Sequence, residues 1–226
     1  IERQGCFAEL VLTPDKNIYE LPEGLDIKKA PIAEPTAVSL HAVEIGIDSL
    51  KKPLDQCNIL VIGGGAIGLL CALILEKVKK CKDLLLSEPN NKRLQVCKNN
   101  LSSDCINPFD KEINQNSFDI VFDTVGMEAT RQSAIKFVKP GGSIIHIGLT
   151  QPSGTFDFRK ATLQEVTFIG TYCYTNRDFE ETLNILSKSK VGDLNWIEFR
   201  ELSAGAEAFK EIHNGTCSAP KIILIP

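Results

Sequence analysis

Residues 59–88 constrain the fold more than any other stretch of the chain. Ile59-Leu60-Val61-Ile62 is a short apolar run, followed by Gly63-Gly64-Gly65-Ala66-Ile67-Gly68 and then by apolar residues as far as Leu75. Glu76-Lys77-Val78-Lys79-Lys80 comes next, and Leu84-Leu85-Leu86-Ser87-Glu88 closes the stretch. A buried strand, a glycine turn opening a helix, and a second buried strand ending in an acid form a dinucleotide-binding unit. A membrane span is the competing reading. It fails because the apolar run covers only seventeen residues, Ile59 to Leu75, and glycines interrupt it, whereas a span needs about twenty.

Each position in the unit has a physical task. Gly63 lets the chain turn off the strand, Gly65 lets a pyrophosphate approach the backbone, and Gly68 lets the helix lie close on the sheet. The helix start, at Ala66 and Ile67, offers free N–H groups and the positive end of a dipole to phosphate. Glu88 lies twenty residues beyond Gly68, at the end of the next strand. A carboxylate there accepts both hydroxyls of an adenosine ribose. The plainer alternative is a glycine-rich turn that only packs a helix.

The remaining chain continues the alternation of strand and helix. Asn90 caps a helix carrying Lys92, Arg93, Leu94, Val96 and Cys97, and Asp104–Asn107 is a short strand. Phe118–Asp123 is a fourth strand, ending at Thr124-Val125-Gly126, and a helix follows from about Glu128 to Val138. Pro140-Gly141-Gly142 turns into a fifth strand, Ser143–Gly148, and Val166–Gly170 is a sixth. This alternation predicts an α/β fold, a doubly wound parallel Rossmann sheet of order 3-2-1-4-5-6. Ligands of such sheets bind at the carboxyl ends of the strands. Gly63–Gly68, Glu88, Thr124–Gly126, Ile147–Leu149 and Gly170–Tyr172 are therefore expected to line one crevice.

The two ends read differently. Gly5–Leu12 alternates weakly, like a strand of a small β domain, and Thr13–Asn17 is a turn. A helix is expected from about Ile27 to Ile47, kinked or divided at Pro35. Beyond Thr175, helices are expected over 178–187 and 204–214. A final strand at Lys221–Ile225 is expected to rejoin the β material at the start of the chain.

Composition excludes several classes. The chain has 226 residues with 43% apolar and 24% charged content and a net charge of −4. A chain of this size buries roughly 70% of its unfolded surface and needs no staples. No basic stripe marks a nucleic-acid or anionic-membrane partner. The eight cysteines, Cys6, Cys57, Cys71, Cys81, Cys97, Cys105, Cys173 and Cys217, include no CxxC pair and no Cys/His cluster. They read as free thiols of a cytoplasmic protein. His146 is expected to be a hydrogen-bonded packing residue of the fifth strand. Cys173 follows the sixth strand, near the cleft.

Taken together, Gly5-Cys6-Phe7-Ala8-Glu9, Leu21-Pro22, Glu34-Pro35 with His41-Ala42, Gly63–Gly68, Lys92-Arg93, Phe118–Gly126, Lys139-Pro140-Gly141-Gly142, Glu165–Gly170 and Lys221–Pro226 form an ordered pattern. In this pattern the chain resembles the zinc-containing alcohol dehydrogenases of the medium-chain dehydrogenase/reductase superfamily. Its nearest likeness is to the sorbitol, threonine and galactitol-phosphate dehydrogenase branch. The resemblance implies that residues 1–40 are the last part of a GroES-like catalytic domain and 41–172 a NAD-binding Rossmann domain. Residues 173–226 would be the return to the catalytic domain. It further implies that the N-terminal part of the catalytic domain, with its zinc ligands, is missing before Ile1.

The same resemblance assigns roles. Glu34 matches the position that ligates or water-bridges the catalytic zinc; its plainer reading is a helix-capping or solvated carboxylate. Val38 and Ile67 match residues packing on the nicotinamide, and Arg93 a basic residue beside the adenosine ribose. Thr124, Val125, Gly126, Ile147, Gly148, Leu149 and Thr171 match backbone and apolar contacts to the nicotinamide half. The implied reaction is hydride transfer between an alcohol (a polyol, sugar-alcohol phosphate or amino alcohol) and nicotinamide. Zinc assists it in the full-length enzyme, and this chain alone is expected to bind NAD weakly and to catalyse nothing. The resemblance also implies a homodimer or homotetramer joined through the sixth strand, Glu165–Gly170.

Glu88 makes NAD the expected coenzyme over NADP. A 2′-phosphate about 4 Å from this carboxylate is repelled by about 4 kcal/mol at an effective dielectric near 20, and Arg93 and Lys92 offset part of that. Two rival readings remain: a non-catalytic NAD-binding module, and a methyltransferase using S-adenosylmethionine. The latter is disfavoured because its turn is normally GxGxG, whereas the third glycine here is Gly68.

Overall fold

The computed structural model describes residues 5–226. In chain order its elements are α1 (Ala33–Asp48), β1 (Asn58–Ile62), α2 (Ala66–Leu73, continued by a π-helical turn over Ile74–Val78), β2 (Asp83–Ser87), α3 (Asn91–Asn100), β3 (Asp104–Ile106) and β4 (Phe118–Asp123). Then come α4 (Glu128–Phe137), β5 (Val138–His146), α5 (Phe158–Leu163), β6 (Thr167–Gly170), α6 (Asn176–Ser187), β7 (Ile197–Glu201), α7 (Gly205–His213) and β8 (Lys221–Ile225).

Six strands pair in parallel in the order β3-β2-β1-β4-β5-β6, as the alternation predicts. Period-two side-chain alternation divides the core. Ile59 and Val61 of β1 join Ile120 and Phe122 of β4 in a layer shared with α1, α2 and α6. Leu60 and Ile62 join Val121 and Ile144 in the opposite layer, under Ala134 and Ile135 of α4. Both faces of the central strands are covered, which explains why they read as continuous apolar runs. On α1, Gly46 admits the Phe122 ring: a Cβ there would lie 2.7 Å from the ring edge.

Four expectations are corrected. Gly5–Leu12 forms no strand. An isolated strand leaves its N–H and C=O groups without a ladder, and no described segment pairs with it; Phe7, Leu10 and Leu12 stand exposed. β8 does not join that segment but pairs in parallel with β7, with α7 as the crossover. Pro35 neither kinks nor divides α1. A 3₁₀ turn at Ala30–Ile32 leads directly into the helix, whose first turn contains the proline, where a missing N–H costs no intrahelical bond. Pro140-Gly141-Gly142 lies within the span of β5, at a register shift against β4, so the strand begins before it, at Val138, and not at Ser143.

Candidate functional site

Because the sheet is parallel, the ends of β1, β2, β4, β5 and β6 share one edge. Every expected site residue except Glu34, Val38 and Arg93 follows one of those ends directly or opens α2. The glycine turn is built as its sequence demands. Gly63 has φ +104°, a region open to glycine, and its N–H donates to Ser87 O across 2.8 Å. A Cβ on Gly68 would lie 1.9 Å from Gly63 O and 2.7 Å from Thr124 Oγ1. A Cβ on Gly65 would meet nothing within 4 Å. Gly65 therefore borders open space at the start of α2, where the unpaired N–H groups of a helix accept an anion. That open cradle fits a pyrophosphate.

Glu88 is held firmly. Its side chain is almost fully buried; Oε2 accepts from Gly64 N–H at 2.7 Å and Oε1 from Asn90 N–H at 2.8 Å. Arg93 Nε stands 3.5 Å from Oε1, an ion contact without a hydrogen bond, and finds no other partner. A carboxylate has about four acceptor directions, so this anchoring leaves capacity for ribose hydroxyls. Asn90 supports the arrangement by capping α3, its Oδ1 accepting from Lys92 and Arg93 N–H at 3.0 and 3.2 Å. Gly64, which the spacing pattern leaves without a role, is squeezed here: a Cβ would lie 2.8 Å from Cys97 Sγ and 3.0 Å from Glu88.

On the other side of the turn, Thr124 Oγ1 donates to Ile62 O at 2.8 Å, locking the end of β4 to β1. The backbone N–H groups of Val125 and Gly126 turn inward, to Asp123 Oδ1 at 3.1 and 2.9 Å. They are not free to meet a ligand, which leaves only this loop's carbonyls and side chains available for one. Gly126, at φ +74°, lies back to back with Gly148: a Cβ on Gly126 would be 2.0 Å from Gly148 O. Ile147 is buried and Leu149 exposed. Thr171 N–H donates to His146 O at 3.0 Å, while its Oγ1 is buried without a partner. Val38 and Ile67 are half-buried on α1 and α2; Ser39 Oγ lies 2.8 Å from Pro35 O and 3.2 Å from Ile67 O, between the two helices.

Asp123 is the residue that sequence reasoning missed. It is fully buried, and His146 Nδ1 lies 3.1 Å from its Oδ2. Burial pushes its pKa up, but the His146 contact and donors from Gly126, Thr130 and Val125 outweigh burial and hold it below the ordinary carboxylate value. The available signal was an acid ending the apolar run Ile120-Val121-Phe122 of β4, since a buried charge must be paired. His146 proves to be a hydrogen-bonded strand residue, as expected. Cys173, at φ +56°, is exposed.

For zinc the donor set does not fit. Glu34 is exposed on the first turn of α1, and among the described residues no three His, Cys, Asp or Glu side chains gather to hold a metal.

A parallel sheet of this order, a glycine turn with an open cradle and an anchored acid at the neighbouring strand end define a doubly wound protein of the dinucleotide-binding class. A family model described as zinc-binding dehydrogenase matches residues 66–188, and the chain belongs to that family. It is 28% identical over 242 residues to the (R,R)-butanediol dehydrogenase of Saccharomyces cerevisiae, covering 98% of this chain and 61% of that protein. It is 24% identical over 219 residues to D-xylulose reductase A of Aspergillus oryzae, covering 92% and 58%. The alcohol dehydrogenase of Aeropyrum pernix has the same fold, with a TM-score of 0.85 at 17% identity over 98% of this chain and 65% of that one. The chain thus spans about three fifths of the length of the curated relatives it matches.

Proposed function

We propose that this chain is the coenzyme-binding part of a NAD-dependent alcohol dehydrogenase acting on polyols or related alcohols. The observation that carries the reading is Glu88, anchored by Gly64 and Asn90 N–H groups beside the open cradle at Gly65. Gly63, Gly65, Ala66, Ile67 and Gly68 would hold the pyrophosphate; Glu88 and Arg93 the adenosine ribose. Val38, Ile67, Thr124, Val125, Gly126, Ile147, Gly148, Leu149 and Thr171 would surround the nicotinamide. The bound nicotinamide supplies or accepts hydride, and the protein orients it and keeps water away. The relatives named for D-xylulose and for (R,R)-butanediol support a substrate with several hydroxyl-bearing carbons. No step falls to zinc among the residues described.

Two further features support parts of the reading. All eight cysteines are free, which suits a reducing compartment such as the cytoplasm, and no helix is long and apolar enough to cross a membrane among the described residues. β6 is an open sheet edge with Phe168 half-exposed, beside an apolar hollow of about 640 Å³ that Leu149, Phe156 and Phe158 also line. An unpaired edge of this kind suits strand pairing with a second copy, giving a homodimer or homotetramer.

The coenzyme reading is tested by titrating NADH and NADPH into the unaltered chain and into Glu88→Ser. NADH should bind the unaltered chain at least tenfold more tightly, a difference of about 1.4 kcal/mol. Glu88→Ser should shrink or reverse that ratio; a ratio indifferent to Glu88 would sink the assignment. Sedimentation of the same samples reports the dimer, and a monomer at every concentration would remove the β6 proposal.

A further inference from the structure

The residues read as the nicotinamide wall, Thr124–Gly126 and Ile147–Leu149, open two loops, 124–127 after β4 and 147–155 after β5, that are joined by a dense set of contacts. Gly126 and Gly148 touch through bare backbone. Gln151 N–H donates to Gly126 O at 3.0 Å, and Thr150 donates to Val125 O through its N–H at 3.3 Å and its hydroxyl at 2.6 Å. Glu128 N–H donates to Gln151 Oε1 at 2.8 Å.

Arg131, on the first turns of α4, closes this set. Its Nη1 donates to Gly126 O at 2.9 Å and to Gln151 O at 3.2 Å, and its Nη2 donates to Ser153 O. Among the described residues Arg131 has no carboxylate within ion-pair distance. Its charge is directed at three carbonyls, one in the first loop and two in the second. A rigid planar fork with several fixed donors suits that task; an ammonium, a single point of charge on a flexible stem, does not.

We infer that Arg131 is a positioning residue for the nicotinamide half of the coenzyme. It sets the 147–155 loop against the 124–127 loop, and so fixes where Val125, Ile147 and Leu149 stand. The inference rests on the coenzyme reading above. It separates the two halves of the ligand, because the adenosine half is held by Glu88 and the glycine turn, which Arg131 does not touch. Loosening the wall removes preorganisation from one half only.

The experiment compares NADH with ADP-ribose, which lacks the nicotinamide, on the unaltered chain, Arg131→Met and Arg131→Lys. Arg131→Met should weaken NADH by about 5- to 20-fold while ADP-ribose affinity stays within about twofold. Should Arg131→Met not fold, Arg131→Lys decides: a loss of about threefold or more for NADH alone supports the inference, and NADH binding equal to the unaltered chain overturns it. Equal losses for both ligands, or none in Arg131→Met, also overturn it and leave the coenzyme reading standing. Failure of the unaltered chain to bind either ligand overturns the coenzyme reading and this inference together.

Discussion

Gly65→Ala should leave the fold intact and weaken NADH binding, whereas Gly68→Ala should damage the fold itself. The two glycines sit three residues apart in one turn, and the space around them differs completely. A Cβ on Gly65 meets nothing within 4 Å, and the residue has φ −69° and ψ −174°, which alanine adopts without strain. As the N-cap of α2 it loses about 0.5–1 kcal/mol on changing to alanine, offset by about 0.4–1 kcal/mol from a stiffer unfolded chain. Stability should therefore stay within about 1 kcal/mol of the parent. The added methyl stands where the pyrophosphate approaches, so NADH affinity should fall by roughly 30- to 150-fold, about 2–3 kcal/mol. At Gly68 the same methyl would lie 1.9 Å from Gly63 O. There it should cost about 3 kcal/mol or more, although alanine is the better helix former by about 1 kcal/mol. Urea melts and NADH titrations on both variants check this. A stable Gly65→Ala that binds NADH normally would remove the pyrophosphate from this turn.

Removing the Asp123 carboxylate should be among the most damaging single changes in the chain. Asp123→Ala strands His146 Nδ1 and the N–H groups of Val125 and Gly126 in a buried site. Each buried donor left without an acceptor costs about 1–3 kcal/mol, so the three together cost about 3–5 kcal/mol, or roughly 6–20 °C in melting temperature for a chain of this length. Asp123→Asn keeps one acceptor and should cost less, about 1–3 kcal/mol. The pH dependence has a definite sign. The folded pKa of Asp123 is depressed, so its stabilisation is fully present above the unfolded value near 3.9. It is lost as pH falls through the folded pKa. Asp123→Asn should therefore flatten the acid limb of a stability profile below about pH 4. An acid limb identical to the parent's would show that the carboxylate is not the group titrating there.

Much of this was legible in the sequence where local chemistry decides the structure. Ile59–Ile62 and Ile120–Phe122 had to be buried on both faces, and Gly63 and Gly68 had to be glycine; the parallel order followed. Legibility failed where tertiary approach decides. Ile197–Glu201 alternates with charged residues and does not read as a core strand. It forms by pairing with β8, while Arg200 bridges Glu198 and Glu211, each at 2.6 Å. Gly5–Leu12 alternates like a strand but finds no partner among the described residues. Arg131 looks like any surface charge on a helix, because its meaning lies in three carbonyls contributed by two separate loops. The residues read as the nicotinamide wall do follow the ends of the neighbouring strands β4 and β5. That its N–H groups turn inward to Asp123 follows only from where β4 and β5 end.

Hydrogen–deuterium exchange of the chain with and without saturating NADH tests the central claim most directly. The account predicts slowed exchange in three places: the turn from Gly63 through Leu69, the segment from Glu88 to Arg93, and the paired loops at 124–126 and 147–149. Protection confined to the groove of about 880 Å³ between α1 and α6, lined by His41, Glu44 and Asp178, with no change at the glycine turn, would contradict it.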